Sequence, residues 1–566
     1  MKRAIIIIIG LTILNSVEAQ NIIRPKISCP NDIWVNAYNG VLFYERTDIS
    51  IPTPGLSLEA MFYYNSSAAD VNFGYGSGWS FVYDWHYETV GDTVVIIQGD
   101  GRRDIYTPAG GGIGYTSPAG VFNNLRRLEG HLILTTPDGT SYHFSDPTGK
   151  HVTHITDRNG NALNLTYSLR VSDDAPVVSQ IRESIGQRVL VFEYRQDLLA
   201  KVYLQGDPQR AWTYGYDNNG NLVSVTTPMG HTVYYGYDKE NRINRFTDAN
   251  GNTTSVAYGR DGQARRVTTA LSDMSIHYQS ATSQTVVVDY LPDGNNQFTS
   301  YRWDSLGRVV EKSGNCCGMT MKLTYDENDN IIKSVDANGN VTQYTYDIRG
   351  NMLSMTDAKN YTEHYTYSAA YNLPLTYTDR GGHQYSYSYD DRGNRTTLTS
   401  PTTTTQYAYD SHGQVTSKTD VQGNSTSYSY DTYGNLSGVT DALGNTVSFT
   451  YNSYGQLTSK TDASGTKRYG YDADGRRTSI VDATGATTTI EYDANGNILK
   501  VKCQGVALYT MSYDALNRMK TITDATGATE RYTYNAKDKI VEIKDALNNK
   551  GSLEEKYPDE DWEDLK

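Results

Sequence analysis

The chain has 566 residues, with 50 Lys and Arg against 64 Asp and Glu, a formal charge of −14. That balance excludes a clustered basic surface for nucleic acid, because phosphate contacts need grouped Lys and Arg. The 48 Tyr beside 10 Phe and 6 Trp, with 50 Gly, favour many short strands and turns and exclude a helical bundle.

At the N-terminus, Lys2-Arg3 precede an apolar run from Ala4 to Leu14, and the small residue Ala19 stands before Gln20. This is the pattern of an export signal cleaved between Ala19 and Gln20. The run is too short for a bilayer, which takes about 20 apolar residues. Residues 1–19 therefore read as a signal peptide without a permanent membrane span. The remainder is expected to be secreted, at the cell surface or in the periplasm.

Residues 20–141 read as an N-terminal β-rich domain. Turn signals at Asp100-Gly101 and Asp138-Gly139 each lie between strand-like runs. From residue 142 to 552 an internal repeat dominates. Its anchor, the residue after the last aromatic of each Tyr-x-Tyr-Asp stretch, recurs from Asp304 through Asp326, Asp347, Ser368, Asp390, Asp410 and Asp431. It continues through Asn452, Asp472, Asp493 and Asp514 to Asn535, with steps of 20 to 22 residues. The residue before the anchor is Trp303 in the first unit and Tyr in all the others. The defining positions are thus pairs such as Tyr325-Asp326, and sets such as Tyr346-Asp347 with Gly350 and Tyr409-Asp410 with Gly413. Further sets are Tyr430-Asp431 with Gly434, Tyr471-Asp472 with Gly475, and Tyr492-Asp493 with Gly496.

About ten residues after most anchors comes a second Asp turn, as at Asp336, Asp420, Asp441 and Asp482. Asp accepts backbone N–H groups at the start of a turn, and Gly takes positive φ near its end. Between the turns, alternation such as Tyr428-Ser429-Tyr430 puts both tyrosines on one face and Ser or Thr on the other. One unit is then a β-hairpin of about 21 residues. A lone hairpin is marginal in water, so neighbours must stack, with tyrosine ladders contributing roughly 0.2–1 kcal/mol per pair. The expected fold is all-β: the N-terminal domain, then a long array of hairpins in a spiralling sheet that forms an open or partial shell. Residues 553–566 read as a solvated acidic tail.

The stretch Tyr428-Ser429-Tyr430-Asp431-Thr432-Tyr433-Gly434-Asn435-Leu436 resembles the YD repeat of rearrangement-hotspot (Rhs) proteins and their teneurin relatives, in register from roughly Tyr142 to Gly551. The segments Val35 to Gly40 and Phe73 to Ser80 are similar to the N-terminal region of bacterial members. The resemblance implies a spiral sheet wrapped into a hollow shell, which in bacterial polymorphic-toxin members encloses a C-terminal toxin. Only an acidic stretch follows Lys544-Asp545-Ala546-Leu547, so the cargo is expected from a longer form or a partner chain, which could also complete the shell.

Catalytic, cofactor and metal residues are not expected. Carboxylates repeated in every unit are turn formers before they are catalysts. His151 and His154 are three apart and would face opposite ways on a strand. Asp248-Ala249-Asn250-Gly251-Asn252 and its counterparts at Asp336 and Asp493 open like calcium loops but lack the later acidic ligand. Cys316-Cys317, between an Asn and a Gly, read as a turn with small thiols. The function expected is a non-enzymatic toxin-enclosing scaffold. The alternative is an exported adhesin whose tyrosines stack on sugars and bind glycans or other cells.

Overall fold

The computed structural model describes residues 26–551, apart from 31–32, 147–149, 291–293, 295, 316–319, 536–538 and 548–549. Ala19, Gln20, Cys316 and Cys317 lie outside the described residues. Among those described, the structure is β throughout, with two single 3-10 turns. A five-stranded sheet comprises Lys26–Ser28, Ile33–Asn36, Leu42–Ile51, Leu58–Asn65 and Trp79–Phe81. A four-stranded sheet follows over His86–Val90, Thr93–Ile97, Arg103–Pro108 and Tyr115–Thr116. All later strands join one antiparallel sheet of 41 strands in sequence order, from Asn124–Leu128 to Lys550–Gly551. Its two outer strands do not pair with each other, so the sheet is open.

Each repeat folds for local reasons. Strand Ser425–Tyr430 pairs with Leu436–Thr440 across the anchor turn, with a bulge between Ser429 and Tyr430. The Asp431 N–H donates to the Asn435 carbonyl at 2.8 Å, and the Gly434 N–H donates back to the Asp431 carbonyl at 3.0 Å. Asp431 Oδ1 accepts the N–H groups of Tyr433 and Asn435, while Oδ2 accepts the Asn435 amide. The second turn repeats this chemistry: Asp441 Oδ1 accepts from the N–H groups of Leu443 and Asn445, and Oδ2 from the Asn445 amide. Along Ser425–Tyr430, Ser425, Ser427 and Ser429 are exposed, while Thr426, Tyr428 and Tyr430 are half-buried, so the period-two face holds.

The core sits beneath the first part of the large sheet. Tyr64, Trp79 and Phe81 of the five-stranded sheet are fully buried, in one cluster with Leu190, Val202, Val225 and Val267 of the large sheet. The N-terminal strands therefore plug the tyrosine face of the first coil. At about 25 cal/mol per Å2 of apolar surface, each fully buried large side chain contributes roughly 1.5–3 kcal/mol.

A second coil then lies along the first. Arg188 reaches the Tyr433 carbonyl, 245 residues on, at 3.4 Å. The Tyr454 hydroxyl donates to Asp207 at 3.1 Å, 247 residues back, and the Arg210 guanidinium lies 3.7 Å from the centre of the Tyr454 ring. Asp474 accepts from the Thr227 hydroxyl and the Met229 N–H, both at 2.9 Å, and lies 2.8 Å from His231 Nδ1. The sheet thus returns on itself after about 245 residues, joined by turn-to-turn contacts along a seam.

Candidate functional site

The feature that runs through the whole array is its tyrosine face. The tyrosine just before most anchors donates its hydroxyl to the carbonyl of a residue in the preceding strand. Tyr346 donates to Ile331 at 3.0 Å, Tyr409 to Arg395 at 2.8 Å, and Tyr430 to Val415 at 2.8 Å. Tyr325, Tyr471 and Tyr492 do the same with Val309, Leu457 and Arg477. The sequence reading gave these tyrosines a packing role and missed the latch. Its signal was present: Phe has similar strand preference, yet no anchor is preceded by Phe.

The carboxylates behave as turn formers. Asp326, Asp347, Asp410, Asp472 and Asp493 each accept the N–H of the residue four positions on. Gly350, Gly413, Gly434, Gly475 and Gly496 all have positive φ, as the turn requires. Hydrogen bonding to Asn351 helps hold the Asp347 carboxyl below its ordinary range, against a burial effect that raises it. Residues at the fourth position also bind one unit to the next: Arg476 donates to Asp472 and to the Asp493 carbonyl, and Gln414 to the Gly434 carbonyl. At the three turns that open like calcium loops the carboxylates hold N–H donors. Asp336 accepts from Asn338 and Asn340, and Asp248 and Asp493 exchange bonds with each other's turns.

Over the first coil the tyrosine face is occupied by the N-terminal strands. The Tyr214 hydroxyl donates to Asp48 at 2.6 Å, Trp79 Nε1 to the Tyr237 hydroxyl at 3.1 Å, and the Ile243 N–H to the Tyr64 hydroxyl at 2.8 Å. Arg46 pairs with Asp48 and donates to the Tyr235 hydroxyl. Burial raises the Asp48 carboxyl, against the opposing pull of Arg46, and burial also pushes the Tyr214 phenol well up. Over the second coil nothing among the described residues covers the same face, and Tyr344, Tyr365, Tyr387 and Tyr428 stay half-buried. Towards the C-terminal end this face hollows into a groove of about 790 Å3, lined by Met511, Met519, Ile522, Tyr532, Tyr534 and Ile540 among others.

One further cluster escaped the sequence reading. Asp84, His86 and His151 each bring a ligand-type atom within 4.8 Å of the others. His151 and His154 do have different partners: His151 stacks on His86 at 5.3 Å, and His154 on His143 at 3.9 Å. Spacing along the chain does not show this cluster, because strand pairing joins positions 65 residues apart.

Family profiles agree with the repeat. The RHS Repeat profile matches residues 216–253, 325–362, 492–529 and 513–550, and the Teneurin YD-shell profile matches 345–490. A domain of unknown function, DUF6531, matches 34–106. Between residues 216 and 550 the chain thus carries repeats of the RHS and YD-shell type. No match was found among curated protein sequences. Among solved structures, the Photorhabdus luminescens Tc holotoxin pore is similar at 13% identity and TM-score 0.48, over 89% of this chain and 30% of that one. A TcdB2-TccC3-Cdc42 structure is similar at 13% identity and TM-score 0.49, over 89% of this chain and 31% of the other. The chain spans about 30% of the length of these proteins.

Proposed function

We propose that this chain is a non-enzymatic, exported scaffold that forms part of the wall of a shell around a polypeptide cargo. The cargo is of toxin class, as in the bacterial Rhs proteins it resembles, and comes from a longer form or a partner chain. The observation that carries this reading is the contrast between the two coils. Where the tyrosine face is covered, its hydroxyls and rings are paired with the N-terminal strands. Where it is bare, an apolar wall and groove stand ready for another chain. The repeated Asp and Tyr side chains are consumed by turns and latches, which favours a structural role.

The test is to isolate the tagged protein from its native host and identify by mass spectrometry the polypeptides that copurify and resist added protease. A protected partner is expected. A protein that is empty and cleaved along its second coil overturns the scaffold reading, and glycan binding by the same preparation would then favour an adhesin.

A further inference from the structure

The geometry points to a divalent transition-metal site, of the class that takes zinc, formed by Asp84, His86 and His151. These residues come from two segments that the backbone clamps together. The Tyr87 N–H donates to the Lys150 carbonyl at 3.1 Å, and the Val152 N–H to the Trp85 carbonyl at 3.0 Å. These two bonds set His86 and His151 opposite each other as a bridge pair, with their rings stacked at 5.3 Å. Asp84 enters from the turn just before, fixed by its N–H to the Phe81 carbonyl at 2.9 Å. One ligand atom from each residue already lies within 4.8 Å of the other two. A tetrahedral ion with bonds near 2.1 Å would draw them to about 3.4 Å apart, which small side-chain rotations supply.

A second observation supports the site independently. Asp146 is buried, and its Oδ1 accepts the N–H groups of Lys150 at 2.6 Å and His151 at 2.9 Å. Its Oδ2 lies 3.4 Å from His151 Nδ1. A metal-bound histidine commonly gives its other N–H to a carboxylate, which fixes the ring and raises its basicity. Asp146 stands beside the otherwise unpartnered Nδ1 of His151, where a slight turn of the ring would make that bond, so it is assigned as a positioning residue and Nε2 of His151 as the binding nitrogen. Arg170, whose charge also acts on Asp84, is engaged by the Asn72 carbonyl and by Asp173. Two neutral imidazoles and one carboxylate suit Zn2+ and leave a fourth position for water. The ion would tie the four-stranded sheet to the opening strands of the large one.

The test uses the full chain, stripped with chelator and titrated with Zn2+ and with Co2+. One equivalent of each should bind, Co2+ with the visible absorption of a tetrahedral nitrogen and oxygen site, and Zn2+ should raise the thermal midpoint. His86→Gln and His151→Gln should each weaken Zn2+ more than about 100-fold, and Asp146→Asn about 10- to 100-fold. His154→Gln, at a histidine outside the cluster, should leave binding unchanged. Sub-stoichiometric binding by the unaltered chain, or His86→Gln and His151→Gln variants that bind as tightly as it does, would overturn the site. The Co2+ spectrum of the unaltered protein decides the matter even if a variant fails to fold.

Discussion

Asp248 accepts a hydrogen bond from the side-chain amide of Asn495, 247 residues further along the chain, at 2.7 Å. The bond is returned: the Asn250 amide donates to Asp493 at 2.9 Å. Two Asp-Ala-Asn-Gly turns, one from each coil, interlock through the side chains that also build them. Removing Asn495 with Asn495→Ala should destabilise the seam by about 1.5–3 kcal/mol, the range for hydrogen bonds to charged groups. Pairing it with Asp248→Ala should cost less than the sum of the two, giving a coupling of about 1 kcal/mol in urea unfolding. Strict additivity would show that the turns do not grip each other in solution.

The hydroxyl latch gives a contrast within one strand. Tyr430 donates to the Val415 carbonyl at 2.8 Å, whereas the Tyr428 hydroxyl has no such partner among the described residues. Tyr430→Phe should lower stability by about 0.5–1.5 kcal/mol, and Tyr428→Phe should be near neutral. Chemical denaturation of the two variants side by side checks this.

Two glycines of one repeat should respond differently to the same change. Gly434 has φ +79°, and a methyl group there would sit 2.4 Å from Pro54 Cγ of the N-terminal segment. Gly444 has φ +85° and nothing within 4 Å. Gly444→Ala should cost only the backbone penalty of about 1–2 kcal/mol. Gly434→Ala should cost clearly more, because Pro54 must also move. Equal losses in thermal melting would mean that the N-terminal segment does not pack on the second coil.

Acid should act on the sheet through His143 before it reaches the carboxylates. Burial, with the facing His154, lowers His143 from 6.5 to about 4, and burial lowers His154 too. The unfolded chain then takes up protons that the folded one refuses, so stability is complete above about pH 6.5 and falls as pH drops towards 4. Asp347 and Asp390 are lowered in the fold, so their contribution persists above 3.8 and is lost only below it. Replacing both histidines, as His143→Gln with His154→Gln, should flatten the upper part of the profile and leave the lower part. An unchanged slope between pH 6.5 and 4 would contradict the assignment.

The repeat was legible because its physics is local. Asp431 and Asn435 are four residues apart and make their turn without help, and alternation along Ser425–Tyr430 fixes which face the tyrosines take. What escaped was every relation set by the sheet's return on itself. Nothing in the neighbourhood of Asp248 announces Asn495, and turn chemistry looks the same whether a partner lies across the seam or not. The plug was equally hidden: nothing in the sequence around Asp48 announces the Tyr214 hydroxyl that donates to it, 166 residues on. Asp84, His86 and His151 follow no ligand spacing, because backbone pairing rather than sequence interval brings them together.

The seam also makes the array a counting device. Most of its pairs between residues 188 and 495 keep offsets of 243 to 247, about twelve units of 21 residues, while Arg210 also reaches on to the Ala473 carbonyl, 263 residues away. Excising one unit from the middle would slide each downstream turn past its mate, setting Tyr454 where Tyr433 meets Arg188 and losing the Asp474 contacts with Thr227 and His231. Units added beyond Asn517, the last to touch Asp248, would disturb no existing pair. Variation in length should therefore collect at the C-terminal rim, where each extra hairpin enlarges the vessel without recutting its base.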